Sequence, residues 1–95
     1  MISILGAVIT LLWDANPAAD LVKGYKIHVG DKAGVYSEVI DVGNVTTYKY
    51  TTKDDTQSTF FVATAYNEQG KESTYSNQVI DTKKPSAPTL TATSE

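Results

Sequence analysis

Thr59-Phe60-Phe61-Val62-Ala63-Thr64-Ala65-Tyr66 is the stretch on which the fold turns. Read with a period of two, it places Phe61, Ala63 and Ala65 on one face and Phe60, Val62, Thr64 and Tyr66 on the other. Both faces are rather apolar, which suits a central strand. Downstream, Asn67-Glu68-Gln69-Gly70 supplies a hairpin turn that leads back through residues 72–81. Upstream, residues 45–52 form a strand whose Thr and Tyr content fits a half-buried pleated surface, closed by Lys53-Asp54-Asp55. Residues 35–42 form a further apolar stretch ending at Gly43-Asn44, preceded by the turn Gly30-Asp31-Lys32-Ala33-Gly34. Before that turn, Tyr25, Ile27 and Val29 point inward and Lys26 and His28 outward, with Leu21 packed beneath the strand's entry. Asn16-Pro17 separates this strand from residues 7–13, where Ala7, Ile9, Leu11 and Trp13 share the core face. Helical periodicity and internal repeats are absent over residues 1–82, so the expected class is all-β.

Composition sets the same bounds. Ninety-five residues make one ordinary domain with a modest core, and 41% apolar against 20% charged residues is the balance of a folding chain. The formal charge is −3 and all eight basic residues are lysines, scattered along the sequence; without arginine forks, nucleic acid is not an expected partner. There is no cysteine, so neither disulfides nor thiolate metal sites are available. The apolar residues 2–13 lack a positively charged start and run directly into Trp13-Asp14, which reads as strand and not as a leader. No apolar run approaches the ~20 residues of a membrane-spanning helix, and membrane insertion is not expected.

Three motifs in order carry a family resemblance: Ile9-x-Leu11-x-Trp13-Asp14, Gly24-Tyr25-x-Ile27, and Ala65-Tyr66-Asn67-x-x-Gly70-x-x-Ser73-x-x-Ser76-Asn77-x-Val79. Together they resemble fibronectin type III domains of the bacterial and bacteriophage type, over roughly residues 7–81. The resemblance implies an immunoglobulin-like β-sandwich of about seven antiparallel strands, with Trp13 in strand B, Tyr25 in strand C and Phe61-x-Ala63-x-Ala65 in strand F. Two departures stand out. Thr59 occupies the position where the family's strand F opens with a corner-tying tyrosine, leaving Tyr48 or Tyr50 to supply bulk at that end, while a one-residue slip would put Phe60 in the slot instead. Only twelve residues precede Trp13, so strand A is truncated or unusual.

A sequence like a family strand A stands instead at the other end. Residues 1–82 are therefore read as the sandwich and 83–95 as a proline-containing linker and strand-like tail, with Pro85 and Pro88 ahead of the alternation Thr89-Leu90-Thr91-Ala92-Thr93. Three arrangements are open to this tail. It begins a second domain, it folds back onto its own sandwich, or it adds as a strand to a neighbour.

Candidate chemistry is sparse. His28 is a solitary histidine on an outward face, with no second imidazole to build a metal site. Asp31, Asp54 and Asp55 sit where turns want aspartate and lack the alternating spacing of a calcium loop. Ser73 and Ser76 have no paired base and coincide with framework positions of the resembled family. No catalytic residue, metal ligand or cofactor is predicted. The candidate contact surface is the outer sheet face formed by His28, Phe60, Val62, Tyr66 and Ile80, together with Pro85, Pro88 and Leu90 of the tail. Cover by the segment after the second strand or by Leu90 is the competing arrangement for that face.

The expected function is that of a non-catalytic structural or interaction module in a virion, as a bacteriophage decoration or tail protein, or in another extracellular assembly. Its partners are then protein neighbours, including copies of itself, and its place is the virion, the extracellular space or the cell surface. The alternative is a spacer or accessory module of a secreted bacterial enzyme or adhesin. Carbohydrate ranks third, through stacking on Tyr36, Tyr48, Tyr50 or Tyr75.

Overall fold

A computed structural model describes residues 7–53 and 56–94. Six strands occur in it: β1 (Val8–Leu12), β2 (Val22–Gly30), β3 (Glu38–Gly43), β4 (Thr47–Thr51), β5 (Thr59–Asn67) and β6 (Val79–Asp81). A single 3₁₀ turn, Ala18–Asp20, links β1 to β2. The strands form two antiparallel sheets, β1-β4 and β3-β2-β5-β6. The protein is thus all-β and sandwich-like, with six strands among the described residues where about seven were expected. No partner for the outer side of β1 lies among those residues.

Alternation assigns the core as the sequence predicts. Leu11 from one sheet meets Ile27, Val29 and Phe61 from the other, and Ile9, Trp13, Ile40, Val42, Tyr50 and Ala63 pack around them. Tyr50 stands edge-on to Phe61 at 5.4 Å between ring centroids, and Trp13 edge-on to Tyr25 at 5.7 Å. Val8, Thr10 and Leu12 point the other way and are exposed. Tyr25 does a second job at the rim, where its hydroxyl oxygen accepts the Asn16 backbone N–H at 2.9 Å and pins the loop leaving β1.

Two expectations are corrected. Leu21 does not pack beneath β2; it is 76% exposed. It closes the 3₁₀ turn in the left-handed region (φ 51°), donating its N–H to the Ala18 carbonyl, and that backbone turns its side chain into solvent. The predicted return strand over residues 72–81 narrows to β6, with one bridge between Tyr66 and Glu72 ahead of it. Between them serine hydroxyls replace carbonyls in the ladder. Ser73 N–H donates to the Ala65 carbonyl (2.8 Å) while Ser73 Oγ accepts the Ala65 N–H (3.0 Å); Ser76 does the same for Ala63 (2.9 and 2.8 Å). The hydroxyl protons go to the carbonyls of Thr74 and Asn77. β5 therefore loses no hydrogen bond although its neighbour is not a regular strand.

The hairpin at 67–70 forms as predicted. Asn67 Oδ1 accepts the N–H groups of Gln69 and Lys71, both at 3.0 Å, and Gly70 supplies the positive φ of 78°. Beyond β6 the backbone amide of Lys83 donates to Ser58 Oγ (3.0 Å). Residues 82–94 then run without strand and exposed throughout. The tail does not fold back onto its own sandwich.

Candidate functional site

The outer face of the four-stranded sheet brings together most of the residues singled out in the sequence, but not as an open patch. His28 is only 8% exposed, Val62 4% and Thr64 4%. His28 and Val62 are therefore removed from the candidate contact surface. Strand alternation aims both away from the core, as predicted, and a second layer then closes over them. That layer comes from residues 71–78 and from Tyr36. The Tyr75 ring stands edge-on to His28 at 5.2 Å, Tyr36 edge-on to Tyr75 at 5.3 Å, and the Tyr36 hydroxyl donates to Gln78 Oε1 at 2.6 Å. Leu90, the other candidate cover, is 96% exposed and covers nothing.

Beneath this lid lies a polar chain. Thr64 Oγ1 donates to Glu72 Oε1 (2.9 Å) and sits 2.9 Å from His28 Nε2. A threonine hydroxyl has one proton, and Glu72 takes it, so His28 Nε2 must carry the hydrogen of the His28–Thr64 bond. The second Glu72 oxygen meets Lys26 Nζ at 3.5 Å. Lys26 Nζ in turn lies 5.3 Å from the centre of the Tyr66 ring, whose hydroxyl is held by both carboxylate oxygens of Asp41 at 2.8 and 2.9 Å.

The charge states follow from these contacts. Burial pushes the His28 pKa down, against the pull of Glu72, so the ring is held neutral. The Thr64 hydroxyl holds the Glu72 carboxyl below its ordinary value, with Lys26 assisting. The Gly43 amide and then the Tyr66 hydroxyl do the same for Asp41, and Asp41 raises Tyr66 in return. Chemically, the chain is already satisfied. Thr64 cannot be activated by an imidazole nitrogen that donates to it, and it is buried from any substrate. The hydroxyls of Ser73 and Ser76 are committed to the β5 ladder.

This arrangement gives a pH dependence with a definite sign. A histidine whose folded pKa lies below its unfolded value of about 6.5 contributes stability that is complete above that pH and is lost as pH falls through the folded pKa. His28 is the one histidine in the chain, so its ring proton signals are unambiguous in an NMR titration. The expected midpoint lies below 6.5, and the thermal midpoint falls as pH drops from 7 to 5. A His28 midpoint above 6.5 would mean that Glu72 outweighs burial.

The remaining candidates are dispersed. Phe60, half-buried, pairs across the ladder with Ile80, which is 48% exposed, at the opposite end of the sheet from Tyr66. Pro85, Pro88 and Leu90 lie on the exposed tail. Tyr50 lines a cleft of about 200 Å³ with Glu38, Lys53 and Ser58. Its hydroxyl donates to Glu38 Oε1 at 2.7 Å, and burial followed by that carboxylate pushes its pKa up to about 12. Of the tyrosines considered for sugar stacking, Tyr36 and Tyr50 spend their rings and hydroxyls on internal contacts, Tyr48 is half-buried, and Tyr75 is 56% exposed.

Asp54 and Asp55 lie outside the described residues. Among those that are described, no three His, Asp or Glu side chains gather as a metal set, and no helix is long and apolar enough to cross a membrane. Of the lid over His28, cover by the segment after β2 was one of the two arrangements open in the sequence and holds for Tyr36, whereas the share of Tyr75 was not foreseen. No family model, curated protein or solved structure matches the chain.

Proposed function

We propose that the protein is a fibronectin type III-like module with a structural, non-catalytic role, joined to protein neighbours through its tail. The strand order β3-β2-β5-β6 facing β1-β4 supports the family reading, as do Trp13 and Tyr25 edge-on at one rim of the core. The setting is an extracellular or virion assembly.

One observation carries the role. Residues 85–94 leave the folded body and are exposed, with an alternating strand pattern and Leu90 almost wholly in water. An isolated domain gains nothing from such a segment, whereas an assembly gains a connector. Truncation after Lys84, which keeps the Lys83–Ser58 bond, tests this. The full chain is expected to associate as concentration rises in sedimentation velocity, and the truncated chain to stay monomeric with an unchanged melting temperature. Two identical monomers would sink the assembly reading in favour of a spacer within a longer secreted protein, a reading that the domain-like start of the tail also favours.

A further inference from the structure

We infer that the open side of β1 is a docking edge for residues 89–93 of a second copy of this chain, received as an antiparallel strand. The inference rests on the assembly reading above and names its contact surface.

The hydrogen-bonding parity of β1 defines the edge. Trp13 N–H bonds to the Thr46 carbonyl and Thr52 N–H to the Ala7 carbonyl, and β1 is in register with β4 between them, Ile9 opposite Tyr50 and Leu11 opposite Tyr48. Odd-numbered residues thus turn their backbone groups toward β4. Val8, Thr10 and Leu12 turn theirs the other way, where no strand among the described residues meets them. Unpaired edges of this kind are templates for an added strand. Their side chains are also in water, Val8 at 61% and Leu12 at 77% exposure.

The tail fits this edge with Leu90 and Ala92 turned inward. Setting Thr10 opposite Thr91 pairs all five residues of β1 with 89–93: Val8 with Thr93, Ile9 with Ala92, Leu11 with Leu90 and Leu12 with Thr89. Side chains directly opposite one another share a face. Leu90 and Ala92 then lie beside the inward-facing Leu11 and Ile9, while three threonines line the exposed face. Bonds to β1 come from the backbones of Thr89, Thr91 and Thr93. Pro88 falls opposite Trp13, at a position whose N–H would face away from β1, so its missing proton costs no bond. Shifting the tail by one residue would turn Leu90 outward and the threonines inward. Antiparallel pairing requires a second molecule. Lys83 is anchored to Ser58 at the start of β5, and the chain's own tail would have to run alongside β1 from the end at which β4 finishes, hence parallel to it.

The chain has no cysteine, which makes the test unambiguous. Thr10→Cys and Thr91→Cys proteins, one carrying a size tag, are mixed and oxidised. A hydrogen-bonded antiparallel pair has Cα atoms about 5.5 Å apart, within disulfide range. The expected result is a mixed disulfide forming at least tenfold faster than either homodimer. Statistical proportions of the three products would overturn the register and the edge. Closure within one chain of the Thr10→Cys/Thr91→Cys double variant at high dilution would also overturn the inference, by placing the tail on its own β1.

Leu90→Asp, a change on the exposed tail that leaves the folded body intact, is expected to weaken association at least tenfold. Thr10→Pro removes only an N–H that faces the open edge and should do the same, its fold being checked by circular dichroism. Association that is lost on truncation but gives no mixed disulfide would leave the assembly reading standing and remove this one.

Discussion

Phe61→Ala is expected to lower the stability of the protein by about 3–5 kcal/mol, the range for a buried phenylalanine truncated in a core. Phe61 is 2% exposed and sits where both sheets meet, against Leu11, Ile27, Val29 and the edge of Tyr50. Those neighbours come from three different strands, so no single local movement fills the space left by the ring. A domain of this size has roughly 5–15 kcal/mol in total, and a small core stands toward the lower end. The melting temperature should fall by roughly 15–30 °C. Phe60→Ala is the control, because the adjacent ring is half-buried on the other face and should cost less than half as much. Equal losses in urea denaturation would show that the core lies on the wrong side of β5.

Gly30→Ala is the second large effect, and it acts through the backbone. A methyl group at Gly30 would fall on the carbonyl oxygen of Val35, where the turn after β2 folds tightly back. That turn is held by the Val35 N–H to Lys32 carbonyl bond and the Lys32–Val35 bridge, so the carbonyl cannot retreat as a flexible side chain would. We expect a loss of about 3 kcal/mol, at the upper end for overpacking. Gly34→Ala, in the same turn, meets open space and carries only the cost of φ +78°, about 1–2 kcal/mol. The two variants should also differ in the His28 titration. Moving Val35 carries Tyr36 with it, opens the lid, and lets the His28 midpoint rise toward 6.5 in Gly30→Ala alone. If Gly34→Ala proves the more damaging, the close approach at Gly30 is not what holds the turn.

The core was legible because it depends on period two alone. Leu11 and Ile27 alternate with exposed or polar neighbours, and for Phe61, flanked by Phe60 and Val62, pleating alone separates the two faces. The outer face was not legible for a related reason. Alternation says that His28 and Val62 point away from one core; it does not say what lies above them. Their cover comes from Tyr36 and from Tyr75, 39 residues of chain apart, and from a hydroxyl chain whose members look like ordinary β-sheet threonine and glutamate. Ser73 and Ser76 could be recognised as framework but not as substitutes for carbonyl oxygens, which is a matter of geometry. Leu21 misled because an apolar residue ahead of a strand suggests packing, while the short helical turn before it required a left-handed cap.

The serine clasps bear on how the module would carry load. A pull on the tail meets the Lys83–Ser58 bond before the ladder of β6, where Asp81 with Thr59 is followed by Ile80 with Phe60 and Val79 with Phe61. These pairs would open one at a time, like a zipper, rather than all together in shear. The next restraints are the paired bonds of Ser76 with Ala63 and of Ser73 with Ala65, spaced along β5 with slack between them. Tension would therefore peel residues 73–81 in steps, lifting Tyr75 from His28 while the five remaining strands stay closed. The last stretch of the chain would then act as a fuse, yielding length before the fold gives way.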